Sequence, residues 1–323
     1  MDKKLLIAKP IEDELNRFNT YYKDSIHSDN KHIQDVIEYT IKTDGKKIRP
    51  ILLLLAAKAC GKVNEITYNA AITIELLHTA SLIHDDVVDD SNLRRGLPSV
   101  NAVFDNKVAV LVGDFFLSTA LIKSVLTGNI DLISSISDLG RNLAEGELNQ
   151  LYIAKDISFN EKDYYEVIRK KTASLMSVAM RIGAFSVGAS DEQAEIFTEM
   201  GECLGICFQL RDDIFDYFSD NVGKPTGNDI REGKVTLPLI YAFEHASESE
   251  QNRIKSYLAK PEPNESEINE MIAFAKENGG IEYAYEAINR YSQRAEQLIF
   301  KLEDSPERKA LLMAIDYIAE RKF

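Results

Sequence analysis

The chain has 323 residues, 45% of them apolar and 28% charged, with a formal net charge of -14 at pH 7. That is enough apolar material for one large buried core or two ordinary ones. The acidic balance argues against non-specific binding to DNA or RNA, because phosphate binding needs a basic face.

The N-terminus, MDKKLLIAKPIEDELNRF, has a short apolar patch that soon turns acidic, so it lacks the long apolar region of a secretory signal. The apolar runs at 51–57 and 108–113 are shorter than the roughly 20 residues of a bilayer span. No transmembrane segment is predicted, and the cytoplasm is the expected location. Cys60, Cys203 and Cys207 form neither a disulfide framework nor a zinc spacing, and their apolar surroundings suit core packing.

Helical periodicity dominates from end to end. YNAAITIELLHTASLIHDD (68–86) is apolar almost all round, with only Glu75 charged before Asp85, which describes a helix buried in a core. AVLVGDFFLSTALIKSVL, NLAEGELNQLYIA and TASLMSVAMRIGAFSVGA follow with i, i+3, i+4 apolar spacing. GECLGICFQLRDDIFDYF (201–218) repeats the plan of 68–86, and EYAYEAINRYSQRAEQLIFKL closes the series. Breaks are expected at 45–50, 96–98, 127–129, 189–191, 223–233, 261–263 and 279–280, where Gly, Pro, Asn and Asp collect. The expectation is an all-α chain of about ten or more helices, with no alternating strand pattern and no interdomain linker. Charge runs in 245–276 and 303–308 are read as solvated surface.

Two acidic motifs stand out. DDVVD (85–89) and DDIFD (212–216) each place aspartates at i, i+1 and i+4, so Asp85 with Asp89, and Asp212 with Asp216, project from one face a turn apart. A solvated face would continue with polar residues upstream. Instead Leu82, Ser81 and His78 precede Asp85, and Gln209, Phe208 and Gly205 precede Asp212. Carboxylates at the mouth of buried helices repel one another unless a cation joins them. Hard oxygen ligands without cysteine suit Mg²⁺, which keeps several waters and bridges carboxylate to phosphate. Basic clusters beside turns agree with a phosphorylated substrate. GKKIRP (45–50) offers Lys46, Lys47 and Arg49. RRG offers Arg94 and Arg95, RKKT (169–172) offers Lys171, and GKPTGNDIREGK (223–234) offers Lys224, Arg231 and Lys234. No P-loop is present.

GKKIRP, ELLHTASLIHDDVVDDSNLRRG, KT, FQLRDDIFD and GKPTGNDIREGKVTLP together resemble the ordered motifs of the trans-isoprenyl diphosphate synthases (polyprenyl synthetases). The likeness spans roughly residues 40–240 and is nearest to long-chain members of the octaprenyl type. It implies one domain over 1–323, with C-terminal helices from 240, forming an isoprenoid synthase bundle around a central cavity and working as a homodimer. The implied activity is Mg²⁺-dependent condensation of isopentenyl diphosphate with an allylic diphosphate, giving a long all-trans polyprenyl diphosphate for isoprenoid quinone biosynthesis.

The resemblance also implies roles. Asp85, Asp86, Asp89, Asp212 and Asp216 would hold three Mg²⁺ per site, and Asp85, Asp86, Asp89, Lys171, Asp212 and Lys224 would form the catalytic set. Arg94, Lys171, Thr172, Gln209, Lys224 and Lys234 match positions that contact the allylic diphosphate. Lys46, Arg49, His78 and Arg95 match those that bind isopentenyl diphosphate, although His78 also reads as a core histidine. Lys47 falls where the family varies, and Asp90 reads as solvated. The first basic loop departs from the family's usual Gly-Gly by opening Asp44–Gly45.

Chain length is read from the residues one turn upstream of Asp85. Ala80 and Ser81 are small and leave a path for a growing tail. Leu77 and some residue of GELNQL (146–151) are candidates for its wall or floor, with ordinary helix packing as the alternative. Residues 68–84 span about 25 Å of helix, which favours a product of about C30 to C40. The competing readings are a shorter-chain synthase, a class I terpene cyclase and a non-catalytic regulatory subunit. A cyclase binds one diphosphate and has no use for a second cationic cluster, and regulatory subunits usually lack an aspartate motif.

Overall fold

The computed structural model describes residues 3–42, 45, 47–156, 159–218, 226–260 and 262–320. Lys46 and Lys224 lie outside the described residues. In chain order the helices are α1 (Lys3–Ala8), α2 (Glu12–Ser25), α3 (Lys31–Lys42), α4 (Ile48–Cys60), α5 (Glu65–Val88), α6 (Val100–Phe104), α7 (Asn106–Val125), α8 (Ile130–Asp156) and α9 (Glu161–Ile168). A π-helical turn at Arg169–Ala173 leads into α10 (Ser174–Ser186). Then come α11 (Asp191–Asp216), α12 (Asn228–Arg231), α13 (Leu237–Glu244), α14 (Glu248–Leu258), α15 (Glu265–Glu277), α16 (Gly280–Ile299) and α17 (Pro306–Ala319). The fold is all-α.

Two details differ from the sequence reading. The break expected at 45–50 ends early, because α4 starts at Ile48 and takes Pro50 into its first turn, where a missing N–H leaves no hydrogen bond unmade. A two-residue ribbon, β1 (Leu93–Arg94) with β2 (Leu97–Pro98), also appears, pairing Arg94 with Leu97. Its loop residues Arg95 and Gly96 both have positive φ, 55° and 78°, as a tight two-residue hairpin requires. The ribbon is too short for an alternation signal.

The chain divides into two compact units: Met1–Gly140 with Leu175–Gly201 and Leu302–Met313, and Arg141–Ser174 with Glu202–Lys301 and Ala314–Phe323. In the first, residues 51–57 of α4 have no exposed surface, which makes this helix the centre of a core. α5 starts from a capping box formed by Asn64 and Thr67, whose side chains also reach Ser186 of α10. α7 lies along α5 with Gly113 seated against the His84 ring. α7 is also long and apolar enough, by length and composition, to cross a membrane. The shorter runs read in the sequence did not reveal this, because Asp114 interrupts them.

In the second unit, α13 packs on α15 and α16. Gly146 of α8 and Gly205 of α11 each meet the backbone of the π-helical turn, at Lys171 and Ala173. These close approaches fix the turn that carries Lys171 and Thr172. Cys203 and Cys207 are buried and Cys60 is half-buried. Burial pushes the Cys60 and Cys207 thiols up to about 11, so both stay protonated and unreactive at neutral pH.

Candidate active site

The first acidic motif closes α5. Its three carboxylates and the adjoining Asp90 gather at a helix C-terminus, where the macrodipole is already negative, and the fold gives them different duties. Asp86 is 3% exposed and accepts hydrogen bonds from Arg94 Nε at 2.9 Å and from Arg94 Nη2. Asp85 is half-buried and Asp89 exposed. Asp90 takes a left-handed φ of 48° one residue past the cap. There its N–H reaches the Val87 carbonyl while Ser91 N–H reaches that of Asp86, the paired bonds of a Schellman ending. Aspartate tolerates this conformation better than most residues, so the fourth acid has a conformational reason to be present.

Three arginines of this unit gather around His78. Burial, and then Arg49, Arg95 and Arg94 in that order, hold its imidazole well below the ordinary histidine range. His78 is therefore neutral at pH 7 and surrounded by three guanidinium groups. A Cβ at Gly45 would lie 2.6 Å from the Arg95 guanidinium, so the first basic loop and the hairpin tip touch. The hairpin explains how neighbouring arginines serve different partners. Arg94 lies in the strand and reaches Asp86, while the left-handed backbone at Arg95 redirects its side chain to Gly45. Lys47 turns elsewhere, with its ammonium 4.6 Å from the Tyr22 ring centroid and 3.3 Å from Asn19 Oδ1.

In the second unit, a cavity of about 220 Å³ is lined by Lys171, Thr172, Gln209, Asp213, Asp229 and Lys234, among others. Lys171 Nζ lies 2.5 Å from Glu147 Oε2 and donates to Gln150 Oε1 at 3.2 Å. Lys234 pairs with Glu232 at 2.5 Å. Thr172 Oγ1 donates to Gln209 Oε1 at 2.7 Å, Gln209 Nε2 donates to Asp213 Oδ1 at 2.7 Å, and Tyr164 Oη donates to Asp213 Oδ2 at 2.5 Å. Burial pushes Asp213 up to about 6, against the lowering effect of the Tyr164 and Gln209 hydrogen bonds. Burial, and then Asp213 and Asp216, also hold the Asp229 carboxyl above the ordinary carboxylate range. Asp216 accepts the N–H groups of Asn228 and Asp229, at 2.9 and 3.0 Å, and so anchors the start of α12. Asp212 is half-buried near the end of α11.

Of the chain-length candidates, Leu77 and Ala80 are buried and Ser81 is half-buried, with its hydroxyl on the His78 carbonyl. Sequence reasoning missed Tyr164, Asp213, Asp229 and Glu147. Asp213 was legible as the second acid of DDIFD, but attention to i, i+4 pairs passed over it. Tyr164 gives no signal beyond helical spacing.

Among the described residues, no three His, Cys, Asp or Glu side chains come together as a ready-made metal cage. The donors still fit Mg²⁺. Each motif ends a long helix at its negative pole, all donors are carboxylate oxygens, and Mg²⁺ normally takes only one or two carboxylates and completes its shell with water and phosphate.

A helical fold that sets an aspartate motif at each of two helix ends, with arginine or lysine in the same unit, has the donors to hold phosphate groups through a divalent cation. Residues 30–275 match the family Polyprenyl synthetase, and the chain belongs to that family. It is 34% identical over 317 residues to the octaprenyl diphosphate synthase of Haemophilus influenzae, covering 97% of this chain and 95% of that one. Among solved structures, a decaprenyl diphosphate synthase from Rhodobacter capsulatus superposes with a TM-score of 0.93 at 34% identity, covering 98% of each chain. A geranylgeranyl pyrophosphate synthase from Bacteroides thetaiotaomicron gives 0.87 at 41% identity, covering 99% of this chain and 100% of that one.

Proposed function

We propose that the protein condenses isopentenyl diphosphate with an allylic diphosphate primer to give a long all-trans polyprenyl diphosphate. The observation that carries this reading is the trio of arginines around a neutral His78 in one unit, in addition to the lysine-bearing cavity of the other. Condensing two diphosphates requires two such cationic sets, whereas a cyclase requires one.

In this reading Arg49, His78, Arg95 and Lys46 receive isopentenyl diphosphate, and Arg94, Lys171, Thr172, Gln209, Lys224 and Lys234 receive the primer. Asp85, Asp86, Asp89, Asp212 and Asp216 form the Mg²⁺ set, with three ions per site. Within that set Asp86 also orients Arg94, and Asp216 also anchors the start of α12. When bound, Mg²⁺ supplies charge neutralisation to the departing diphosphate.

The chain's residues do the rest. The carbon–oxygen bond breaks with its electron pair leaving on the diphosphate, where Arg94 and the lysines stabilise the growing charge. To meet it, Lys171 exchanges Glu147 for a phosphate oxygen. The double bond of isopentenyl diphosphate, oriented by Arg49 and Arg95, attacks the allylic cation. Loss of a proton to the departing diphosphate then restores an alkene. His78, being neutral, orients the second diphosphate by hydrogen bonding and adds no charge.

The small side chains of Ala80 and Ser81 keep a path open beside roughly 25 Å of helix, and this favours a product of about C30 to C40. The 41% identity to the geranylgeranyl pyrophosphate synthase from Bacteroides thetaiotaomicron favours a second reading, a shorter product. Chromatography of products from farnesyl and geranylgeranyl primers separates the two. Wild type is expected to give chains beyond C20, and Ala80→Phe or Ser81→Phe shorter ones. Unchanged lengths would overturn the tunnel assignment. The reading includes a cytoplasmic location and a homodimer, and the dimer is supported by the apolar outer face of α7, where Leu111 and Val125 are 66% and 64% exposed.

A further inference from the structure

The hydrogen bonds beside the Lys171 cavity link four side chains and converge on one carboxylate, Asp213. Tyr164 and Asp213 are almost wholly buried, Asp213 at 4% exposure. Tyr164 donates to one Asp213 oxygen, so the other is left to accept from the Gln209 amide. With its NH₂ held by Asp213, Gln209 must offer its carbonyl to Thr172. The single Thr172 proton is spent there, and the hydroxyl oxygen can present only lone pairs to the cavity.

From this geometry we propose that Tyr164 and Asp213 are positioning residues that set the polarity of Thr172, making it an acceptor toward an electron-poor allylic carbon instead of a donor toward phosphate. The proposal rests on the reading of this cavity as the primer site. Both residues line the cavity, but their polar atoms are engaged with one another and with Gln209. Tyr164 locks the carboxylate, the carboxylate fixes the amide, and the amide takes the hydroxyl proton. The arrangement is pre-organised, because each buried group has its partner before any ligand arrives.

Reversal of the chain is also readable. In Asp213→Asn the buried Tyr164 proton still needs an acceptor and claims the new carbonyl. The new NH₂ then faces Gln209, whose amide turns over and donates to Thr172. The Thr172 proton is released into the cavity. Adding Gln209→Glu restores an acceptor at that place, and with it the original direction at unchanged net charge.

The test is steady-state condensation of isopentenyl diphosphate with farnesyl diphosphate, alongside thermal unfolding. Tyr164→Phe is expected to lower kcat about tenfold with KM for both diphosphates unchanged, and the Tyr164→Phe/Thr172→Val protein to be no slower than Thr172→Val alone. Asp213→Asn is expected to be slower than Tyr164→Phe, and Asp213→Asn/Gln209→Glu to recover at least about tenfold over Asp213→Asn. Losses that multiply in the Tyr164/Thr172 double variant, or no recovery in the swapped pair, would overturn the polarity proposal. Wild-type kcat in Thr172→Val would instead overturn the placing of the primer here. If Tyr164→Phe does not fold, the Asp213/Gln209 pair carries the test by itself.

Discussion

Replacing His78 by asparagine should flatten the acid limb of the protein's stability. Burial and the three surrounding arginines keep the folded imidazole neutral well below its ordinary range, while in the unfolded chain it titrates near 6.5. Below that pH the unfolded state binds the extra proton, so the wild type is penalised as the solution becomes acidic and unaffected above about pH 6.5. With the folded group still neutral, the penalty at pH 5.5 is about 1.4 kcal/mol. Unfolding a chain of 323 residues carries an entropy of about 0.7 kcal/mol/K near its midpoint, so this corresponds to about 2 °C in Tm. Asparagine fills part of the same space and cannot titrate. Thermal unfolding of both proteins at pH 7.5 and pH 5.5 isolates the effect, because every other group contributes alike to the two. Whatever their Tm gap at pH 7.5, the variant should gain about 2 °C on the wild type at pH 5.5. A gap that stays constant between the two pH values would refute a neutral His78 within a cationic pocket.

Other outcomes follow from particular contacts. Asp90→Gly relieves a left-handed aspartate and should raise stability by about 1 kcal/mol with condensation unchanged, as denaturant titration and the enzyme assay would register. Asp86→Ala deprives Arg94 of its buried partner. A loss of about 2 kcal/mol, moderated by the partial exposure of Arg94, should accompany a raised KM for the primer with little change for isopentenyl diphosphate. Charging the outer face of α7 by Leu121→Glu with Val125→Lys should convert a dimer to a monomer by light scattering, and an unaltered mass would remove this face from the interface.

Much of this was legible in the sequence because helical periodicity and acid spacing report local geometry. The buried all-round apolarity of 68–86 became α5, the breaks at 127–129, 189–191 and 279–280 fell at helix ends, and the two aspartate motifs proved to end long helices. Less legible were features that depend on what lies across the fold. Nothing local distinguishes Asp86, which Arg94 neutralises, from Asp85 beside it. Arg94 and Arg95 diverge only because two residues with positive φ make a hairpin too short to leave a pattern. Tyr164 and Asp213 meet across 49 positions, so neither one's neighbours announce the bond. The acidic run from 245 read as plain surface, yet it contains two capping boxes, Ser247 with Glu250 and Asn264 with Glu267, whose spacing was available in the letters.

The most direct measurement of the central claim is the condensation itself. Purified protein, alone, is supplied with labelled isopentenyl diphosphate and farnesyl diphosphate, with Mg²⁺ or with excess chelator, and the dephosphorylated products are chromatographed. The account predicts polyprenyl chains beyond C20 with Mg²⁺ and none with chelator, and loss of product in Asp85→Ala and Asp212→Ala. Cyclised hydrocarbon from the primer alone, or no incorporation of label by a folded protein, would contradict it.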